Sequence, residues 1–223
     1  MQDQGYLLPM PPNHAPRELR RRLPRLLLGL VLCGWGIASM VASELGLGPW
    51  DVLHQGLSVL TGIPIGTMGI LVGILVLALW LPLHERPGLG TVLNVLVIGI
   101  VIDVTLLWLS TPDSLTLRAI MMLAGPVLFG IGSGFYIGAG LGSGPRDGVM
   151  TGLARRGWPV GVARGAIEVT VLALGWLLGG TVGLGTVLFA GLIGPLVHWC
   201  LPRLTIPDLD VGQVRPPGVR SAR

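Results

Sequence analysis

Apolar residues in this chain do not alternate with polar ones; they run on without a break. Six stretches, about 26–43, 66–83, 88–110, 119–139, 161–178 and 182–201, carry at most two charges each. Each is close to the ~20 residues that a helix needs to cross ~30 Å of hydrocarbon. Membrane barrel strands would show a period of two, which these runs lack, so helices are the spanning elements. The fifth run reaches spanning length only by including Arg164 and Glu168. The apolar run after Arg25 is long, carries Gly and Trp, and does not resemble a cleaved signal peptide. Residues 1–16 and 204–223, rich in Pro and polar residues, read as tails that need no fold.

The runs fall into two copies of one unit. Gly88-Leu-Gly-Thr-Val-Leu93 recurs letter for letter as Gly183-Leu-Gly-Thr-Val-Leu188. Leu45-Gly46-x-Gly48-Pro49-x-Asp51 returns 96 residues later as Leu141-Gly142-x-Gly144-Pro145-x-Asp147. At the same offset Gly29, Gly34 and Gly36 recur as Gly125, Gly130 and Gly132. After a one-residue deletion the register continues at 95, pairing Gly62, Pro64 and Gly66 with Gly157, Pro159 and Gly161, and Ile98-Gly99 with Ile193-Gly194. A collinear series of this length is not a product of chance. The expected organisation is a single membrane domain: a basic tail over 1–24, one unit over 25–112, its copy over 113–203, and a tail over 204–223.

Each unit holds three spans, an odd number, so the second copy enters the membrane from the opposite side. The expected fold is all-α, six transmembrane helices arranged as two inverted three-helix repeats. All fifteen basic residues are arginines, and their distribution sets the orientation. Arg17, Arg20, Arg21, Arg22 and Arg25 precede the first span, and the segment after it has none. The positive-inside rule then puts both termini in the cytoplasm, with Arg118 alone outside. The copy of the first loop has gained Arg146, Arg155 and Arg156, as expected if equivalent loops face opposite compartments.

Between the first two spans of each unit lies a shorter helix. Gly48-Pro49-x-Asp51 is a helix start: Gly at the cap, Pro where its missing N–H costs nothing, and a carboxylate in the first turn. The helix stops at Gly62 and its copy, from Pro145, at Gly157. At ~13 residues it covers ~20 Å, too short to cross. It is either re-entrant or interfacial. In the first case the two N-termini, with Asp51 and Asp147, approach a central cavity. In the second both are surface helices, with Trp50 and Trp158 as interfacial anchors.

Composition narrows the class. With 51% hydrophobic and 12% charged residues and a mean hydropathy of +0.75, this is a membrane protein. The 36 glycines suit close helix crossings. The basic pI reflects orientation and anionic lipid contact; there is no nucleic-acid motif. Polar residues at membrane depth invite a functional reading. These are Asn94, Asp103, Arg164 and Glu168, which join Asp51 and Asp147 as candidate solute-binding residues. Arg164 and Glu168 are one turn apart and able to pair, while their repeat mates are Gly69 and Gly73. For them and for Asp103 the competing reading is a charge near the headgroups or a salt bridge between helices. Thr91 and Thr186 are expected to cap helices. Cys33 and Cys200 show no redox or metal spacing, and no cofactor, metal or hydrolase pattern is visible. An enzyme is not expected.

With Gly48-Pro-Trp-Asp51, Gly144-Pro-Arg-Asp147, Arg164-x-x-x-Glu168 and both Gly-Leu-Gly-Thr motifs lined up, the chain resembles the YczE-type bacterial integral membrane proteins, relatives of the YitT group, over about residues 25–200. The resemblance implies a multi-span protein of the bacterial inner membrane and carries over no catalytic residue. The leading expectation is a small secondary transporter of unspecified solute. The alternative is a non-transporting accessory or regulatory membrane protein. A homodimer is a further expectation, with the glycine-rich first and fourth spans as its interface.

Overall fold

The computed structural model describes residues 16–206. Nine helices follow in order among them: α1 (Pro16–Ser43), α2 (Pro49–Thr61), α3 (Ile65–Ala78), α4 (Trp80–Leu83), α5 (Leu89–Leu106), α6 (Leu115–Gly138), α7 (Pro145–Ala154), α8 (Val160–Leu177) and α9 (Leu184–Leu204). No strand occurs among the described residues. Residues 1–15 and 207–223 of the expected tails lie outside them. Six helices are long and apolar enough to cross a membrane: Glu18–Ser43, Ile65–Leu83 (α3 continued by α4), Leu89–Leu106, Leu115–Gly138, Val160–Leu177 and Leu184–Leu204.

These boundaries follow from local chemistry. Gly48 caps α2 in an extended conformation, Pro49 takes the first helical position, and Gly62 ends the helix in the left-handed region with its N–H on Ser58 O at 2.8 Å. Thr91 and Thr186 each accept the N–H of the glycine three residues earlier, Gly88 and Gly183, at 3.2 Å, which starts α5 and α9. α1 differs from expectation, beginning at Pro16 rather than at 26. Arginine is a good helix former, and Glu18 lies in the first turn, where a carboxylate complements the helix dipole.

α1 and α6 form the centre. A β-carbon on Gly29 would lie 2.6 Å from the Gly132 carbonyl oxygen, and one on Gly36 2.6 Å from that of Gly125, so the two backbones touch where side chains are missing. Leu26, Leu30, Cys33, Ile37 and Met40 of α1 and Phe129 and Tyr136 of α6 fill the core around this crossing. This corrects the proposed dimer interface: the glycine faces of the first and fourth spans meet each other within the chain. Cys33 is fully buried there, its Sγ 3.6 Å from Phe129 O.

The other joints come in pairs at repeat-equivalent positions. Arg22 Nη1 donates to Ala139 O at 2.9 Å, and Arg118 Nε to Ser43 O at 2.7 Å. Each arginine satisfies a carbonyl at the C-terminal end of the other unit's first helix, where a cation also suits the dipole. Arg118, the odd charge in the orientation count, is thus a helix cap. Likewise Gly90 N donates to Leu141 O and Gly185 N to Leu45 O, both at 2.8 Å, so each Gly-Leu-Gly-Thr turn docks on the other unit's Leu-Gly-x-Gly-Pro loop.

Candidate functional site

The first turns of α2 and α7 meet. Pro49 and Trp50 line a cavity of about 860 Å³ together with Gly144, Arg146 and Asp147. Trp50 and Asp51 line a second cavity of about 60 Å³ with Pro145 and Arg146. Three residues, Trp50, Asn94 and Arg146, belong to both and form the wall between them. Trp50 is therefore no interfacial anchor: it is 8% exposed, whereas Trp158 is 54% exposed.

Arg146 is held by aromatic faces. Its guanidinium carbon lies 5.7 Å from the Trp50 ring centroid and 5.9 Å from that of Phe129, within cation–π range. Phe129 in turn meets Phe189 edge-on at 5.4 Å. Nearby carboxylates are occupied. Asp147 Oδ2 accepts the Gly144 N–H at 3.2 Å, reaching back from the first turn to its own helix cap. Burial pushes the Asp147 carboxyl above its ordinary range, while Arg146, the Gly144 N–H and Arg164 pull it back. Asp51, 4% exposed, has Oδ1 3.4 Å from His54 Nδ1. Arg164 Nε donates to Glu168 Oε1 at 3.0 Å, a pair along one helix face that lines the larger cavity.

Asp103 is not in either cavity wall. Its Oδ1 accepts the Gly66 N–H at 2.6 Å, and its Oδ2 accepts the Thr67 N–H and hydroxyl at 2.7 Å each. It fastens α5 to the N-terminus of α3, where first-turn N–H groups lack helical partners. Gly66 and Gly99 come into backbone contact beside it. The second unit differs at each equivalent position. His198 stands for Asp103 and lines the larger cavity, while Gly161 and Gly194, the mates of Gly66 and Gly99, face open space.

The two cavities are made from equivalent parts. Of the fifteen residues lining the smaller one, only Val72 and Val76 lack a repeat counterpart in the larger. Ile37 answers to Ser133, His54 to Met150, Gly69 to Arg164, Gly73 to Glu168, Asn94 to Phe189 and Ile102 to Val197. Trp50 and Arg146, mates of each other, touch across the wall.

Of the six candidates taken from sequence, Asp51 and Asn94 line the smaller cavity and Asn94, Asp147, Arg164 and Glu168 the larger, while Asp103 acts on helix packing. Arg146, Trp50, Phe129 and Tyr136 were not among them. The available signal was the variable position of Gly-Pro-x-Asp, which holds Trp50 in one copy and Arg146 in the other. Among the described residues, no group of three His, Cys, Asp or Glu side chains is placed to share a metal ion.

Comparison with known proteins gives a consistent family and no activity. A Haemophilus influenzae protein described as uncharacterized is 44% identical over 177 residues, covering 79% of this chain and 81% of its own. The Bacillus subtilis uncharacterized membrane protein YczE is 35% identical over 191 residues, covering 84% and 88%. The Bacillus subtilis uncharacterized protein YyaS is 28% identical over 182 residues, covering 78% and 90%. No solved structure matches. Residues 20–202 match a family of unknown function, DUF6198, and with YczE among its relatives the chain belongs to this YczE-type membrane protein family.

Proposed function

We propose that this protein is a small secondary transporter built from two inverted repeats, with α2 and α7 as re-entrant half-helices and a single pathway open to one side at a time. The observation that carries the reading is the pair of cavities: equivalent linings, but volumes of about 60 and 860 Å³. Two identical half-structures related by an axis in the membrane plane exchange their conformations when access alternates. The closed unit has α3 held on α5 by Asp103, and the open unit has α8 parted from α9.

Orientation adds direction. The larger cavity is lined by Arg164 and Glu168 near the start of α8 and by Val197, His198 and Leu201 near the end of α9. With the arginine-rich start of α1 in the cytoplasm of a bacterial inner membrane, those helix ends are cytoplasmic. The conformation is then inward-open, with the outer side latched.

Impermeant maleimide labelling tests this in a background with Cys33 and Cys200 replaced by Ala. Val197→Cys should react from the cytoplasmic side and Ile102→Cys, its repeat mate, should be protected from both. Adding Asp103→Asn should expose Ile102→Cys from outside and protect Val197→Cys. If the two reactivities fail to move in opposite directions, the chain is a static accessory protein and not a transporter.

A further inference from the structure

Two donors in the wall between the cavities, on Arg146 and Trp50, have no hydrogen-bond acceptor among the described residues. Arg146 makes no hydrogen bond or ion pair among the described residues; aromatic faces are its neighbours. Trp50, which lies against it, keeps a buried indole Nε1–H with no acceptor. The nearby carboxylates make hydrogen bonds and ion pairs with other groups, Asp147 with Gly144 N, Asp51 with His54 and Glu168 with Arg164, and Asp147 acts on Arg146 through its charge without a hydrogen bond to it. A sealed N–H without an acceptor is costly unless something supplies one, and the half-buried Arg146 guanidinium stands in the cavity wall without a hydrogen-bonded anion. The first turns of α2 and α7 converge on the same place, and their unpaired N–H ends favour negative charge as well. Beside Arg146 lies the Phe129 ring, paired edge-on with Phe189, and Ile193 and Val197 add apolar surface to the same cavity.

We propose that the site between Trp50 and Arg146 recognises an anionic oxygen head on a compact apolar body, the chemistry of a small aromatic or aliphatic carboxylate. The inference rests on the transporter reading for its meaning, as it names the class of solute. It does not need alternation of access to be tested. Arg146 takes the head through two parallel N–H groups, as guanidinium does with carboxylate. Trp50 Nε1, sealed in this conformation, donates a further bond when the indole turns toward the head, and the body lies on Phe129 and Phe189.

The test is equilibrium binding of benzoate to the full chain in phosphatidylcholine nanodiscs, with benzyl alcohol and benzylamine as neutral and cationic bodies of similar size. The expected result is saturable benzoate binding, one per chain, with both controls weaker by at least about tenfold. Arg146→Gln should weaken benzoate by at least about tenfold and Trp50→Phe, which keeps the ring and removes the N–H, by a smaller factor. The ligand series on the unaltered chain decides the matter even where a variant fails to fold. The inference is overturned by equal binding of the three bodies, by no benzoate binding at millimolar concentration, or by unchanged affinity in folded Arg146→Gln. Repeating the titration with phosphatidylglycerol in the discs identifies the source of the anion. Loss of benzoate binding there assigns the site to a lipid headgroup, and retention assigns it to a free acid, each with the same anion chemistry. Absent benzoate binding together with opposed cysteine reactivities would sink the anion site and leave alternating access standing.

Discussion

Asp103 is the residue whose contacts say most about the state of the molecule. It accepts three hydrogen bonds from the start of α3, at 2.6, 2.7 and 2.7 Å, and charge-assisted bonds of this kind contribute about 1.5–3 kcal/mol each at most. Its counterpart His198 has no such role, and the counterparts of Gly66 and Thr67 are Gly161 and Val162. Asp103→Asn should therefore favour opening on the Asp103 side by about 2 kcal/mol, roughly thirtyfold in population. His198→Asp with Val162→Thr, which rebuilds the latch in the other unit, should shift the balance the same way. Maleimide labelling at Ile102→Cys and Val197→Cys reads both; no change in either would show that the carboxylate only braces two helices. The caps at Thr91 and Thr186 could be read from the sequence because donor and acceptor are three residues apart. For Arg146 and Trp50 the sequence marks the position, as the variable residue of Gly-Pro-x-Asp, but not the contact, which joins residues 96 apart.

Among the elements, glycine positions carry the packing and can be tested one against another. At Gly66 a β-carbon would collide with the Gly99 carbonyl, whereas at Gly161, the same position in the copy, nothing lies within 4 Å. Gly66→Ala should push α3 from α5 and cost about 1–3 kcal/mol, while Gly161→Ala should be neutral or stabilise by up to about 1 kcal/mol through helix propensity. At the α1–α6 crossing Gly29→Val should be worse than either, because it puts a branched side chain where even a β-carbon would lie 2.6 Å from the backbone atoms Gly132 O and Tyr136 N. Thermal unfolding of the detergent-purified variants ranks them, and equal losses at Gly66 and Gly161 would contradict the difference in packing. Helix ends and the short lengths of α2 and α7 were readable from Gly, Pro and Asp placement, since those residues act locally. The early start of α1 and the cap made by Arg118 were not. The first depends on propensity in a polar stretch, and the second on a carbonyl 75 residues away.

For the whole molecule, the repeat explains the shared scaffold, and the differences within it fall at the cavity wall, where the proposed transporter would hold its solute. Joints that hold both units together are the same twice over: the Gly90 and Gly185 dockings, the Arg22 and Arg118 caps, and the glycine crossing of α1 and α6. The cavity wall is where the copies diverge, at Asn94 and Phe189, Gly69 and Arg164, Gly73 and Glu168. The duplication itself is plain in the sequence. Which copy is closed is not, because the same glycines serve contact in one unit and open space in the other. On the transporter proposal that difference is reversible, and the distance between helices reports it directly. Two spin-label pairs, one across the ends of α3 and α5 beside Asp103 and one across the ends of α8 and α9 beside His198, should show opposed two-state distance distributions. The α8–α9 pair should shorten as the α3–α5 pair lengthens when Asp103 is replaced by Asn. Single, unchanging distances at both pairs would contradict it.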